Sequence, residues 1–283
     1  MLNPTPISND DSALQFFPCV DGDELQRQIA SWLSLDPAPF ALVCGIASRS
    51  DAGRWCGIIM RNGQPLVALA QTPPWPVIVA SPFMVDDGLA QAVASVLRAQ
   101  PLAVTSINAP RPWTEAIARA LGIVANKTQG VALHRLAGQP QLRHTVPGSA
   151  RPFRLKELAL LQTWLHDFAC EATPEDPQPL VPMTTLMDMR SSVYAWTVAE
   201  EPVSMARVQR PFCGGWTIGP VYTPPSCRGQ GYGGAVVHAQ CQRLLAEGSR
   251  YVILYTDMAN LTSNKLYARI GFQQILEQRR VSW

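Results

Sequence analysis

The sequence predicts an α/β (α+β) protein made of two tandem domains of one design, each a mixed, mostly antiparallel sheet flanked by helices. Three observations lead there. At 283 residues the chain is long for a single hydrophobic core and natural for two. A stretch rich in Pro, Gly and polar residues, 138–152, divides it. Helix and strand signals run in the same order on both sides of that stretch, although no residue-level repeat is visible. The expected layout is residues 1–137 as a first domain, 138–152 as a linker and 153–283 as a second domain.

In the first domain, Asp23 to Leu35 carries Leu25, Ile29, Trp32 and Leu33 at helical spacing. The apolar runs Phe40 to Ala47 and Cys56 to Arg61 read as strands. Asn62-Gly63 is a hairpin turn signal leading to a return strand, Leu66 to Ala70. Val77 to Ala80 reads as a strand, Asp86 to Ala99 as a helix and Leu102 to Ile107 as a strand. Trp113 to Leu121 reads as a helix with Gly122 at its C′ position, and Val131 to Leu136 as the closing strand. The second domain opens with a helix, Phe153 to Cys170, whose Leu158, Leu161, Leu165 and Phe168 form an apolar stripe. A shorter helix, Met183 to Arg190, precedes a hairpin of Val193 to Ala199 and Val203 to Gln209. Then follow a strand (Trp216 to Thr223), a helix (Gly231 to Glu247), a strand (Tyr251 to Thr256), a helix (Leu261 to Ile270) and a last strand (Phe272 to Val281).

Composition excludes several classes. Hydrophobic content of 47% with 16% charged residues describes a globular chain. A net charge of +2 is too small to argue for nucleic acid or an anionic membrane surface. Seven cysteines, an odd number without a C-x-x-C pair, indicate neither a disulfide framework nor a metal site. A reducing cytoplasm is the simplest compartment. Met1 to Pro6 lacks the basic and apolar regions of a signal peptide. The longest apolar run, Leu66 to Ala80, is broken by Pro73, Pro74 and Pro76, so no membrane-spanning helix is expected.

The chemistry concentrates in Val221-Tyr222-Thr223-Pro-Pro-Ser-Cys-Arg228-Gly229-Gln230-Gly231-Tyr232-Gly233-Gly234. A strand runs into a glycine-dense turn holding one arginine, and a helix opens at once. Glycines let successive backbone N–H groups turn toward one point. The helix start adds its unpaired N–H groups and the positive end of its dipole. Together these suit a diphosphate. The corresponding junction in the first domain, Ala80-Ser-Pro-Phe-Met-Val-Asp-Asp-Gly, has neither the arginine nor the clustered glycines. One anion site per chain is therefore expected.

Gly229, Gly231 and Gly234 also fit the dinucleotide fingerprint G-x-G-x-x-G, with Asp257 ending the next strand. That fingerprint belongs after the first strand of a βαβ series. Here antiparallel-looking strands precede it, and too little chain follows Asp257 for a doubly wound sheet. The helix after Asn260 favours a different cofactor. At helical spacing Asn260, Asn264 and Tyr267 share an arc of about 60°, with Leu266 and Ile270 directed elsewhere. Such a face offers amides to a polar cofactor and a phenol beside its reacting end. Asn260 equally suits a plain helix N-cap.

Arg228-x-x-Gly231-x-Gly233 resembles the R/Q-x-x-G-x-G/A signature of the GNAT superfamily of acyl-CoA-dependent N-acyltransferases. Asn260 to Phe272 resembles that family's second cofactor motif, so the resemblance spans roughly Arg151 to Trp283. It implies acetyl-CoA as cofactor, its diphosphate held by the N–H groups of Gly229 to Gly234, with Arg228 beside it. It implies main-chain bonds from Val221 and Thr223, flanking Tyr222, to the pantetheine arm, in the manner of an added strand. The cleft would open between the strands ending near Thr223 and Thr256. Tyr267 would be the general acid that protonates the departing thiolate. The acceptor implied is a small-molecule or peptide amine, attacked directly in a ternary complex, since no activated nucleophile marks a covalent route. An acyl-CoA sensor or scaffold of the same fold is the alternative. Cys227 reads as a spacer, His238 as a helix-flank residue, and Glu171, Glu175 and Asp176 as loop acids near the acceptor side or simply solvated. No general base is evident, because Met205 to Gln209 and Trp216 to Tyr222 contain no carboxylate.

Overall fold

The computed structural model describes residues 13–174, 176 and 178–283. Met1 to Pro6, expected to lack a signal sequence, and Glu175 lie outside the described residues. The chain resolves into two compact units, one running to Val131 and including Leu276–Trp283, the other comprising Ala132–Ile275.

The first unit contains β1 (Gln15–Cys19), α1 (Gly22–Gln28), α2 (Ala30–Leu35), α3 (Ala41–Ala47), β2 (Trp55–Arg61), β3 (Gln64–Gln71), β4 (Val77–Ala80), α4 (Asp87–Arg98), β5 (Ser106–Pro110) and α5 (Arg111–Leu121). Strands β1 to β4 pair antiparallel in sequence order, and β5 lies parallel to β4. The far end of β12 (Phe272–Ser282) completes this sheet, Gln278 to Ser282 pairing antiparallel with β5. Val67, Leu69, Val77, Val79 and Ile107 from the strands meet Leu89, Val93, Leu97, Trp113 and Ile117 from α4 and α5 in one core. Helix α4 buries Leu89, Val93, Val96 and Leu97, the i, i+4, i+7, i+8 stripe of an amphipathic helix. Its N-cap is Asp86, whose carboxylate accepts the Leu89 N–H at 2.7 Å.

Several local expectations are corrected here. Phe40 to Ala47 is not a strand: Ala38–Phe40 forms a 3₁₀ turn and α3 follows. A short continuous apolar run has no period to separate strand from buried helix. Pro37 and Pro39, which suit a helix start, were the signal to weigh, and Ala41, Val43, Cys44 and Ala47 bury one face. The expected helix from Asp23 breaks at Ile29 into α1 and α2. Strand β5 starts at Ser106, leaving Leu102 exposed. Strand β1 was not anticipated; Pro18 argues against a central strand, and β1 is an edge.

The second unit contains β6 (Lys127–Leu136) from Ala132 onward, β7 (Ser149–Pro152), α6 (Leu158–Ala172), α7 (Met183–Met189), β8 (Val193–Val198), β9 (Glu201–Phe212), β10 (Gly215–Tyr222), α8 (Tyr232–Ala246), β11 (Tyr251–Asp257) and α9 (Leu261–Ile270). Its strand order is β7-β8-β9-β10-β11, with β6 next to β11. Strands β7, β8, β9 and β10 pair antiparallel in turn, and β10 pairs parallel with β11. Two cores form. Val236, Val237, Cys241 and Leu244 of α8 pack with Val208, Ile218, Val252, Leu254, Tyr267 and Phe272. Leu161, Trp164 and Leu165 of α6 pack with Phe153, Leu186, Val193 and Met205. The β8–β9 hairpin turns through Ala199 and Glu200, both at positive φ (48° and 68°), the geometry that follows strand twist.

The end of the segment expected to be linker is strand β7, and its Arg151 is structural. The Arg151 guanidinium grips Glu157 through two bonds of 2.8 and 2.7 Å, and Glu157 also accepts the Arg154 N–H at 2.8 Å. Both side chains are largely buried, at 17% and 10% exposure. The Arg151 bonds hold the Glu157 carboxyl below its ordinary 4.5. A carboxylate with a depressed folded pKa stabilises the fold above its unfolded value. Glu157 therefore contributes fully above about pH 4.5, and the contribution fades as pH falls through the lower folded value. Glu157→Gln should cost about 2–3 kcal/mol at pH 7, because Arg151 is left buried and half-partnered. Urea melts at pH 7 and pH 3.5 check this: the gap between wild type and variant should shrink at the lower pH.

Candidate functional site

The site begins where two parallel strands part. Strands β10 and β11 pair at Gly215↔Tyr251, Trp216↔Val252 and Thr217↔Ile253, and no further. Beyond, β10 runs on to Tyr222 and β11 to Asp257, so their edges diverge. A bulge bends β10 at the same place: its register to β9 slips between Ile218 and Val221. The bulge holds Gly219 and Pro220, and the Gln209 amide donates to the Gly219 carbonyl. Bulges kink a strand and re-aim its backbone. The expected cleft between the ends of these two strands is thus present as a divergence of strands.

The glycine turn follows β10 directly. Pro225–Cys227 makes one 3₁₀ turn, Gly229 sits at φ 80°, and Gly231 at φ 83° is the N-cap of α8. Gly231 supplies no capping side chain. The helix start is closed by the Ala235 N–H, which donates to the Gly231 carbonyl at 3.0 Å. Among the described residues, the N–H groups of Gly229, Gln230, Gly231, Tyr232, Gly233 and Gly234 have no protein acceptor. Several donors at a helix start without partners form an anion cradle. Gly234 meets a second demand, since a Cβ there would lie 2.9 Å from Leu266 Cδ1 of α9.

Around this cradle the side chains divide into tethers and walls. Arg228 donates through Nε to the Thr223 carbonyl at 2.9 Å and through Nη2 to both Glu171 carboxylate oxygens at 2.7 and 2.8 Å. Its guanidinium lies 5.8 Å from the Tyr222 ring centre. It ties the turn to β10 and α6. Both partners are half-exposed, so the ion pair itself is weak, and its contribution is geometric. Glu171 is accordingly an anchor for Arg228. Tyr222 turns its ring into the α6 core beside Trp164, with its hydroxyl 3.4 Å from Asp167 Oδ2. Burial first, then the Asp167 charge, raises its phenol pKa. Only the backbone of Tyr222 stays with the strand edge, and its carbonyl accepts from Ser204 Oγ at 3.0 Å. Ser204 Oγ also bonds Thr223 Oγ1 at 2.8 Å, and a Cβ on Gly233 would lie 3.1 Å from that same Thr223 oxygen. Ser204, fully buried on β9, was missed in the sequence; a lone serine in a strand carries no motif.

On α9 the three expected residues separate by role. Asn260 is the N-cap, its Oδ1 accepting the Ser263 N–H at 3.0 Å. Asn264 braces the end of β11: Nδ2 donates to the carbonyls of Asp257 and Met258, both at 3.1 Å, and Oδ1 accepts from Thr256 Oγ1 at 2.6 Å. Since that hydroxyl proton goes to Asn264, Thr256 Oγ1 must accept from His134 Nε2, 3.1 Å away. His134 is then the Nε2–H tautomer, with a buried, unpartnered Nδ1 and a pKa lowered by burial. This His134–Thr256–Asn264 chain spans β6, β11 and α9 and is not readable from spacing. Asn264→Ala should destabilise the chain by about 2 kcal/mol, since three polar partners lose their bonds at once, and a urea midpoint measures it.

Tyr267 is 7% exposed, with its ring edge-on to Phe272 at 6.0 Å. Burial, and then the Cys241 thiol, raise its phenol pKa, so it carries its proton throughout the neutral range. His238 is half-buried on α8 with its pKa lowered by burial. Cys227 lies in the 3₁₀ turn before Arg228. Among the described residues, no group of three His, Cys, Asp or Glu side chains is placed to hold a metal. Nor is any helix long and apolar enough to cross a membrane.

A family model described as FR47-like protein matches residues 195–281, the stretch that holds the splayed strands, the cradle and α9. Solved structures match nearly the whole chain in shape. A GCN5-related N-acetyltransferase from Sphaerobacter thermophilus aligns over 94% of this chain and 95% of its own, at TM-score 0.61 and 16% identity. The chain has a tandem GNAT fold. A GNAT-family acetyltransferase from Colwellia psychrerythraea covers 95% and 99% at TM-score 0.57 and 11% identity. A tandem GNAT protein from the clavulanic acid biosynthesis pathway covers 95% and 98% at TM-score 0.57 and 14% identity. No curated protein matches in sequence. The strand order argues against the dinucleotide alternative, because β10 follows antiparallel strands and the described residues form no doubly wound parallel sheet.

Proposed function

We propose that the second unit binds acetyl-CoA and transfers its acetyl group to the amine of a small molecule or peptide, by direct attack in a ternary complex. The observation carrying this reading is the set of six acceptor-less N–H groups, Gly229 to Gly234, opening onto the end of a strand whose parallel neighbour has diverged. Acetyl-CoA would supply an activated thioester; the residues do the rest. The turn amides bind the diphosphate, with two glycines at positive φ exposing them. The Val221-to-Thr223 edge offers main-chain groups to an extended arm. Arg228 holds the turn against Glu171 and Thr223, so the anion falls to the amides. Asn260 and Asn264 fix α9 and thereby Tyr267. The Tyr267 phenol, protonated at neutral pH, serves as the acid for the leaving sulfur. The incoming amine arrives deprotonated or gives its proton to water, since neither Met205 to Gln209 nor Trp216 to Tyr222 carries a carboxylate. Orientation of thioester and amine is the main catalytic contribution.

One acetyl-CoA per chain is expected. In the first unit the comparable helix start, α4, is capped by its own Asp86 and carries Asp87 in its first turn, which disfavours an anion. We place the protein in the cytoplasm, a reading supported by seven free thiols. The test is thiol release from acetyl-CoA across a panel of amino acids, polyamines, aminoglycosides and peptides. Release with one amine class supports transfer. Tight acetyl-CoA binding without turnover on any of them replaces catalysis with sensing.

A further inference from the structure

The first unit repeats the divergence of strands without the anion cradle. Parallel strands β4 and β5 pair at Val77↔Ile107 and Ile78↔Asn108 only. Where they part lies a cavity of about 660 Å³, inside the range of about 300–1,000 Å³ usual for small-molecule sites. Its walls include Trp32, Phe40, Ala80, Phe83, Leu276 and Gln278. Trp32 stacks at a tilt on Phe40, at 5.3 Å, and edge-on to Phe83, at 6.1 Å. The Phe83 loop is pinned by Trp113 Nε1, which donates to the Phe83 carbonyl at 3.1 Å. Among the described residues, no Lys or Arg lines the cavity. The one lining acid, Asp36, accepts the Ala38 N–H at 3.2 Å.

Ser31, Asp36, Gln64 and Ser81 also interrupt this largely apolar lining, but Gln278 differs from them in its burial. Gln278 is 2% exposed, and its Oε1 is buried without a hydrogen-bond partner. It stands opposite Pro110 in the β12–β5 ladder, and both residues line the cavity. A buried acceptor left unmet is costly and points to a missing donor. We propose that this cavity binds a small, neutral, largely aromatic molecule whose single N–H or O–H is received by Gln278 Oε1 once that side chain turns into the cavity. The aromatic walls supply stacking and edge contacts. With no Lys or Arg among its described lining residues, the cavity disfavours phosphates and carboxylates, so the first unit reads a different chemical class from the second.

Indole and 1-methylindole test this on the full chain, since they differ in the one donor. Saturation-transfer NMR and calorimetry should show both binding, indole about tenfold tighter. Gln278→Leu keeps the shape and removes the unmet oxygen, so it should fold normally. It should bring the two probes to within about twofold of each other while leaving the acetyl-CoA titration unchanged. Ala80→Leu, whose longer side chain leaves β4 on the face opposite Val79, enters the cavity and should abolish binding of both. No transfer to indole, equal binding of the two probes, or a donor preference that survives Gln278→Leu would each overturn the assignment. An acetyl-CoA titration that fails while indole binds would count against the proposed catalysis alone.

Discussion

Gly231→Asp should lower acetyl-CoA affinity by about 100-fold or more, a loss of about 3 kcal/mol. Gly231 sits at φ 83° at the N-cap of α8. Aspartate is among the few residues that tolerate this region, so the fold should persist. Its carboxylate would stand among N–H groups that now lack acceptors, competing for them and repelling a diphosphate. The added Cβ meets Val146 Cγ2 at 3.2 Å, a contact that a small shift relieves. Gly231→Asn separates shape from charge: it imposes the same Cβ without the negative charge and should lose only about tenfold. Calorimetric titration of both variants, with circular dichroism to confirm folding, checks the pair.

Tyr267→Phe should lower kcat by about 10²-fold, at the modest end of general-acid effects, and leave the KM for acetyl-CoA nearly unchanged. The ring packs in the core of the second unit against Phe272, and phenylalanine keeps that packing. A purely structural tyrosine would give a different outcome, with unchanged kcat and only a small shift in melting temperature. The pH profile adds a second readout. Because burial and Cys241 push the phenol above its ordinary 10, Tyr267 stays protonated below about pH 10. Any alkaline fall in kcat below that point must come from another group and should remain in the variant.

The fold was legible where periodicity and punctuation agreed. Asp86 as cap with Leu89, Val93 and Leu97 on one face gave α4, and Gly122 at φ 68° ended α5. The Asn62-Gly63 turn placed β2 and β3 in register. Legibility failed where a run had no period, as at Ala41–Ala47, and where a pairing is distant in sequence. The far end of β12 joins β5, some 170 positions earlier, and no local signal announces it. In the site, the glycine turn was readable because helix-start amides and positive φ demand glycine. The tethers were not. Arg228 could be seen to belong to the turn, but its bond to Glu171 depends on how α6 lies against β10. Asn264 was expected to offer its amide to a cofactor, yet that amide is spent on Thr256, Asp257 and Met258. A face tells where a side chain starts, and only packing tells which partner reaches it first.

Calorimetric titration of the full chain with acetyl-CoA tests the central claim most directly. The account predicts one site per chain, lost in Gly231→Asp and retained in Tyr267→Phe. Two equivalent sites, or no binding of acetyl-CoA at millimolar concentration, would contradict it.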